Sequence, residues 1–220
     1  MLTYQFPDLN ICPYTKLAKR FDDKDNYICI LNSDNLPLDF NSLGINLKFT
    51  GSKNRVFIIH PVQLNNFSIL CHGSNSIIFI DSNFTSRQAT KIVIEKDNQQ
   101  LYIGKRCHFF SVFIQLEADS RKIFIGDDCM FASDVNIKNS DSHVIYDIHT
   151  KEILNEPQEM IYIGNHCWIA RSVRILKNAS IPNDCIVGMG AYVTKKFYKP
   201  NCVLAGIPAS IVKEGVNWRK

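Results

Sequence analysis

The sequence predicts an all-β protein wound as a parallel β-helix, and three observations predict it. From Ile163 to Tyr192 the chain repeats every six residues, reading IGNHCW, IARSVR, ILKNAS, IPNDCI and VGMGAY. Each unit opens on Ile or Val (Ile163, Ile169, Ile175, Ile181, Val187), and its fifth place holds a compact residue (Cys167, Val173, Ala179, Cys185, Ala191). Upstream, short apolar runs recur about every ten to thirteen residues, with Gly, Asn, Asp and Ser between them.

A period of six is neither the helical repeat nor simple strand alternation. It suits short strands that wind around a prism, one unit to a face and about eighteen residues to a coil. The opening Ile or Val then points inward and stacks on its counterpart in the next coil. The fifth residue lies near a corner, where bulk is excluded. Cys107, Cys129, Cys167 and Cys185 all take that place, so they read as small buried hydrophobes.

Residues 1–44 lack the period and are expected to cap the open end of the helix, which would otherwise expose strand edges. Residues 45–220 are expected to form the helix proper. Its looser coils carry INLKF (45–49), VFIIH (56–60), FSILC (67–71), IIFI (77–80), KIVI (91–94), LYIG (101–104), VFIQL (112–116) and IFIG (123–126). The segment from Ile211 to Lys220 reads as either a short helix or an extended tail.

Composition narrows the function classes. With 220 residues, 45% hydrophobic and 21% charged, the chain has the make-up of an ordinary globular protein. It has no apolar run long enough for a membrane span and no signal-peptide pattern at its start. Eight cysteines without a secretory signal or a Cys-x-x-Cys pair predict reduced thiols in a cytoplasm, with neither a disulfide framework nor a structural zinc site. The net charge of +4 permits an anionic ligand but does not argue for nucleic acid.

The period fails between Val135 and Ile161, so an insertion is expected at about residues 139–161. Insertions at the corners of repeat proteins commonly carry function. This one opens on Asn139-Ser140-Asp141-Ser142-His143. His143 is the candidate general base, with Asp141 or Ser142 as candidates to orient its ring, and His149 is its rival on the same loop. The other histidines, His60, His72, His108 and His166, read as surface or corner residues. The next coil presents Trp168, an outward indole that needs a ligand or a second subunit to cover it. Ala170 and Gly188 lie eighteen residues apart, and Gly206 eighteen further on, as a column of small residues that could cradle an extended ligand. Lys195 and Lys196, with Lys199, form a basic cluster suited to phosphates.

Three segments carry a resemblance to a known family: DSHVIYD (141–147), IYIGNHCWIARSVRILKNASI (161–181) and VLAGIPASIVKEGVNW (203–218). Over about residues 100–218 the chain resembles the left-handed β-helix, or hexapeptide-repeat, acetyltransferases. Within them it is most similar to the bacterial O-acetyltransferases of capsule, O-antigen and sialic-acid-containing glycans. The resemblance implies a left-handed coil, acetyl-coenzyme A as co-substrate, no metal, and a homotrimer with active sites between subunits. It implies direct acetyl transfer to a glycan hydroxyl, with His143 as base and Trp168 lining the thiol end of the cofactor. Ala170, Gly188, Lys195, Lys196 and Gly206 are then expected along the cofactor. Two departures bear on this. Ile207 and Ser210 stand where the family commonly has Asn and a basic residue, and Ala170 replaces a glycine. The alternatives are a small-molecule acetyltransferase, for an amino sugar nucleotide, serine or an antibiotic, or a silent trimeric scaffold.

Overall fold

The computed structural model describes residues 18–32 and 43–220. The chain winds through about seven turns of a parallel β-helix whose three sheets form the faces of a prism. The first face stacks Tyr27–Leu31, Arg55–Ile59, Ile77–Ile80, Gln100–Ile103, Lys122–Ile125, Met160–Ile163 and Ser180–Ile181. The second stacks Val62–Leu64, Phe84–Ser86, His108–Phe109, Met130–Phe131, Trp168–Ile169, Ile186–Val187 and Cys202–Ala205. The third stacks Asn46–Phe49, Phe67–Cys71, Thr90–Ile94, Val112–Leu116, Val135–Lys138, Arg174–Ile175 and Tyr192–Val193. From Arg55 onward the coils visit the faces in that order. No described helix is long and apolar enough to cross a membrane.

Coil length changes along the axis. Arg55 lies opposite Ile77 and Ile77 opposite Gln100, offsets of 22 and 23 residues, whereas Tyr162 lies opposite Ser180, an offset of 18. The early coils therefore have longer corners, as their wider apolar spacing predicts. All eight apolar runs read from the sequence lie on the first and third faces. The second-face strands between them are two or three residues long, too short to show as runs.

Three inward columns make the core. Ile80, Ile103, Ile125, Ile163 and Ile181 stack behind the first face, and all are fully buried. Phe109, Phe131, Ile169, Val187 and Leu204 stack behind the second, and Ile92, Ile114, Ile137, Ile175 and Val193 behind the third. Burying each such side chain contributes about 1.5–3 kcal/mol. Outside the first face, Phe79, Tyr102, Phe124 and Tyr162 form a ladder of near-parallel rings with centroids 5.5, 5.1 and 5.1 Å apart.

The corner between the first and second faces repeats one turn four times: Gly104-Lys105-Arg106-Cys107, Gly126-Asp127-Asp128-Cys129, Gly164-Asn165-His166-Cys167 and Pro182-Asn183-Asp184-Cys185. Arg106, Asp128, His166 and Asp184 sit in the left-handed region at φ 54–58°. The amides of Lys105, Asp127 and Asn165 donate at 2.9 Å to the side-chain Oδ1 of Asp127, Asn165 and Asn183, one coil on. Below them the Cys107, Cys129 and Cys167 thiols each donate at 3.1 Å to a corner carbonyl of the next coil. Burial pushes the Cys107 and Cys129 thiols far above their usual pKa. These cysteines pack, and the seven described cysteines are all free thiols.

At each end of the helix one face closes on an antiparallel strand. Lys19–Arg20 pairs outside Tyr27–Leu31, and Ser210–Glu214 folds back on Cys202–Ala205. Paired coils thus begin at Tyr27, inside the segment expected as a cap. The rest of that segment, residues 1–17 and 33–42, lies outside the described residues. The C-terminal segment resolves as a hairpin strand followed by an extended tail.

The corner ladder leaves no room for a side chain at Gly164, where a Cβ would lie 2.4 Å from Asn183 Oδ1 and 2.6 Å from its backbone nitrogen. Gly164→Ala is expected to destabilise the fold by about 1–3 kcal/mol, measured as a lowered urea midpoint.

Candidate functional site

The chain leaves the third face after Lys138 and rejoins the first at Met160. The intervening loop stands at the corner between those two faces, and both of its feet are tied down. Asn139 is buried. Its Nδ2 donates to Gln99 Oε1 at 3.1 Å, and its Oδ1 accepts the Glu117 backbone amide at 2.7 Å. On the return strand Arg121 Nε donates to the Pro157 carbonyl at 3.0 Å, and Arg121 and Lys122 pair with Glu156 and Glu159, each at 2.8 Å.

The loop tip is a small hairpin. Tyr146 bridges Ile153, and Asp147 Oδ1 accepts the amides of His149 and Thr150, both at 2.8 Å. This places His149 in the tip turn and His143 at the loop base. There His143 lines an open cleft of about 410 Å³ with Glu117, Arg121, Asp141, Asn155 and neighbouring residues. His149 is not among the residues that line it.

One asparagine organises the base. Asn155 Nδ2 donates to the His143 carbonyl at 2.8 Å and to Asp141 Oδ2 at 2.9 Å, while its Oδ1 accepts the Ile145 amide at 2.7 Å. Lys177 pairs with Asp141 at 2.5 Å. Ser142, at φ 66°, donates to Glu117 Oε2 at 2.7 Å and accepts from Lys138 at 2.9 Å. Asp141 and Ser142, the expected partners of the imidazole, are thus engaged elsewhere. Their side chains tie the loop to Lys177, Asn155, Glu117 and Lys138 and not to the ring. Among the described residues, no hydrogen bond reaches the His143 ring, which is exposed.

The second half of the candidate site is elsewhere. Trp168 opens the second-face strand of the next coil, with Met130 and Ile186 stacked on either side of it. It remains 36% exposed. Trp218 from the C-terminal tail lies beside it, with ring centroids 6.2 Å apart. The column of small residues runs along the adjoining corner between the second and third faces. Ala170 follows the pair Ile169–Val187, so it stacks on Gly188. The next member is Ala205 and not the expected Gly206. Val187 lies opposite Leu204, an offset of 17, because the chain drops two residues between Val193 and Lys196, where Ser180 lies opposite Lys196 at an offset of 16, and regains one at the next corner. A Cβ on Gly188 would meet Ala205 Cβ at 3.3 Å. Gly206, at φ 100°, instead turns the chain into the terminal hairpin.

Lys195 and Lys196 are exposed at the corner between the third and first faces, the corner that carries the His143 loop. Lys199 is tied to Glu214. The expected site residues therefore fall into two groups. His143, Lys195 and Lys196 share one corner, while Trp168, Ala170 and Gly188 lie on the second face and its far corner. The first face separates the loop corner from Trp168, and the third face separates it from Ala170 and Gly188. Asn155, Lys177 and Trp218 were missed by the sequence reading. Of these only Trp218 left a signal, as one of two tryptophans in the chain.

No cluster of His, Cys, Asp and Glu among the described residues could hold a metal. His166 and Cys167 point apart, with His166 bonded to Asp184 at 2.8 Å and Cys167 in the core.

Comparison with known proteins shows the family. No protein-family model matches the chain. A polysialic acid O-acetyltransferase of Neisseria meningitidis is 33% identical over 174 residues, covering 79% of this chain and 68% of that protein. The chain belongs to the left-handed β-helix O-acetyltransferases. A polysialic acid O-acetyltransferase of Escherichia coli O1:K1 is 34% identical over 89 residues, but that match spans 40% of this chain and only 28% of the relative. Among solved structures, the polysialic acid O-acetyltransferase OatWY superposes with a TM-score of 0.72 at 30% identity, covering 89% of this chain and 90% of that one. The polySia-specific acetyltransferase NeuO gives 0.74 at 27% identity, covering 89% and 78%.

Two predictions concern the loop base. Asn155→Ala is expected to lower the free energy of loop opening by about 1–3 kcal/mol, read as faster hydrogen exchange at the Ile145 amide. The second concerns pH. Burial alone would raise the Asp141 carboxyl, but hydrogen bonds from Lys177 and Asn155 and the Lys177 charge hold it below the usual carboxylate value. A lowered folded value stabilises above the unfolded pKa and is lost as pH falls through the folded one. Loop anchoring should therefore weaken below about pH 4, and Lys177→Met should move that loss to higher pH, followed by NMR of the Asp141 carboxyl.

Proposed function

We propose that this protein transfers an acetyl group from acetyl-coenzyme A to a hydroxyl of an anionic, sialic-acid-containing surface glycan, and that it works as a homotrimer. The observation that carries the reading is the division of the candidate site between two corners of the prism. A single chain keeps His143 and Trp168 apart across the first face. A second copy, setting its Trp168 face against the His143 corner of the first, would complete the site. The loop supports this with Val144, Ile145, Tyr146, Ile148, Ile153 and Leu154 all large, apolar and 49–71% exposed, more than a lone chain ordinarily leaves to water.

His143 is the base in this reading. A neutral imidazole takes the acceptor hydroxyl proton as oxygen attacks the thioester carbon. The C–O bond forms, the C–S bond then breaks, and the imidazolium returns its proton to the departing thiolate. No covalent enzyme intermediate is required. The column Ala170, Gly188 and Ala205 gives the pantetheine arm a smooth wall, and Lys195 and Lys196 of a neighbouring copy suit the cofactor phosphates. Charge supports an anionic acceptor. Residues 160–220 carry nine Lys and Arg against two Asp and Glu, although the whole chain has 25 against 21. The named acceptor of the relatives in N. meningitidis and E. coli, polysialic acid, is the first to test. Use of acetyl-coenzyme A sets the reaction in the cytoplasm.

Thiol release from acetyl-coenzyme A should be faster with polysialic acid than with neutral glycans or small amines. His143→Ala is expected to lower kcat by about 10²–10⁴-fold with the fold intact. Light scattering should give three times the 25.2 kDa chain mass, and Ile148→Asp should lower both that mass and the activity. Thiol release that is indifferent to acceptor, or undiminished in His143→Ala, would sink the reading.

A further inference from the structure

We propose that Trp218, on the C-terminal tail, is a second aromatic wall of the acyl-donor site. The inference rests on the reading above that Trp168 receives the thioester end of the donor. After the terminal hairpin, Gly215 at φ 67° turns the chain, and the Val216 amide donates to the Asn201 carbonyl at 3.0 Å. The tail then runs back to the coil that carries Trp168. The indole of Trp218 stacks on the His166 ring with centroids 4.6 Å apart and an interplanar angle of 10°, and its Nε1–H donates to the His166 carbonyl at 2.8 Å.

The seat beneath it is itself held. His166 Nδ1 lies 2.8 Å from Asp184 Oδ1, and that oxygen also accepts from Asn217 Nδ2 at 3.3 Å. Two consecutive tail residues thus grip the same corner in two adjacent coils, and the result is an indole 6.2 Å from Trp168, tilted by 46°. The two rings form an angled pair at the outer edge of the second face. Their polar groups are used differently. The Trp218 N–H is consumed by the His166 carbonyl, so Trp218 acts through its ring surface. Among the described residues no hydrogen bond is made by the Trp168 N–H, which stays available to the donor. An acyl thioester with a polarizable sulfur and an apolar pantetheine arm suits such a pair of rings.

The chain contains two tryptophans, so Trp168→Phe leaves Trp218 as its sole indole, and Trp218→Phe leaves Trp168. Titrating each full-length variant with coenzyme A, the emission of both indoles should change saturably. In steady state, Trp218→Ala should raise the KM for acetyl-coenzyme A about three- to tenfold, the size of one aromatic contact. It should leave kcat nearly unchanged, and Trp218→Phe should recover most of the loss. A response from Trp168 but none from Trp218, or a lowered melting temperature in Trp218→Ala with donor KM unmoved, overturns this inference and leaves the reading of Trp168 standing. Silence from both indoles overturns both. Should Trp218→Ala fail to fold, the titration of Trp168→Phe still decides.

Discussion

Everything in this molecule hangs on one repeated interaction, the backbone hydrogen bond from each coil to the next. The amides of Gly126, Trp168 and Arg174 donate forward to the carbonyls of Ile163, Cys185 and Ala191, and those of Asp128, His166 and Asp184 donate back to the carbonyls of Lys105, Asp127 and Asn165, so neighbouring coils are bonded in both directions. A parallel ladder of this kind fixes register residue by residue, because a slip of one would turn every inward Ile outward. The cost of turning three corners per coil is met locally, by residues at positive φ and by side chains that stand in for backbone acceptors. Asn165 and Asn183 do this at one corner. Asn54 does it at another, where its Oδ1 accepts the Ser76 amide at 2.9 Å.

A wall so regular is poor material for a catalytic cleft. Its faces are nearly flat, and its inward positions are filled with apolar side chains. Chemistry therefore collects where the ladder is interrupted or ends. The loop at residues 139–159 interrupts it, and the tail after Glu214 ends it. Both are fastened to the regular coils by polar side chains: Asn139, Lys177 and Arg121 for the loop, Asp184 and His166 for the tail. These contacts link scaffold to site, since the position of His143 depends on Asn155 and Asn139, and these in turn depend on the register of the coils beneath them.

The sequence disclosed what repeats and concealed what does not. The inward columns were legible because Ile and Val recur at a fixed interval and every one of them is buried. The second face was not, since a strand as short as His108–Phe109 leaves no apolar run. The break in period located the loop, and its hairpin tip separates His149 from His143. The partners of Asp141 and Ser142 were illegible because Lys177 and Glu117 lie far along the chain and reach the loop only through stacking of coils. The stacking of Gly188 on Ala170 was read correctly and the next member missed by one, because the hexad does not govern the chain from Val193 to Val203, which loses two residues before Lys196 and regains one around Phe197–Pro200. Trp218 was hidden for the same reason. It meets His166 across 52 residues, through a tail with no period at all.

A prism has three corners, and this chain puts chemically different groups on two of them. In the assembly proposed above, the His143 corner of one copy meets the Trp168 face of the next, so the contact is heterologous. A heterologous contact either closes into a ring or propagates as a filament. The triangular cross-section favours closure, because successive faces are already turned by roughly a third of a revolution about the helix axis. Coil stacking that runs parallel to that axis leaves the ends of the helix, where Lys19–Arg20 and Ser210–Glu214 each pair backwards on one face, out of the contact. The repeat that builds each subunit thereby also constrains how subunits meet, and the same side-by-side meeting would bring the two halves of the site together.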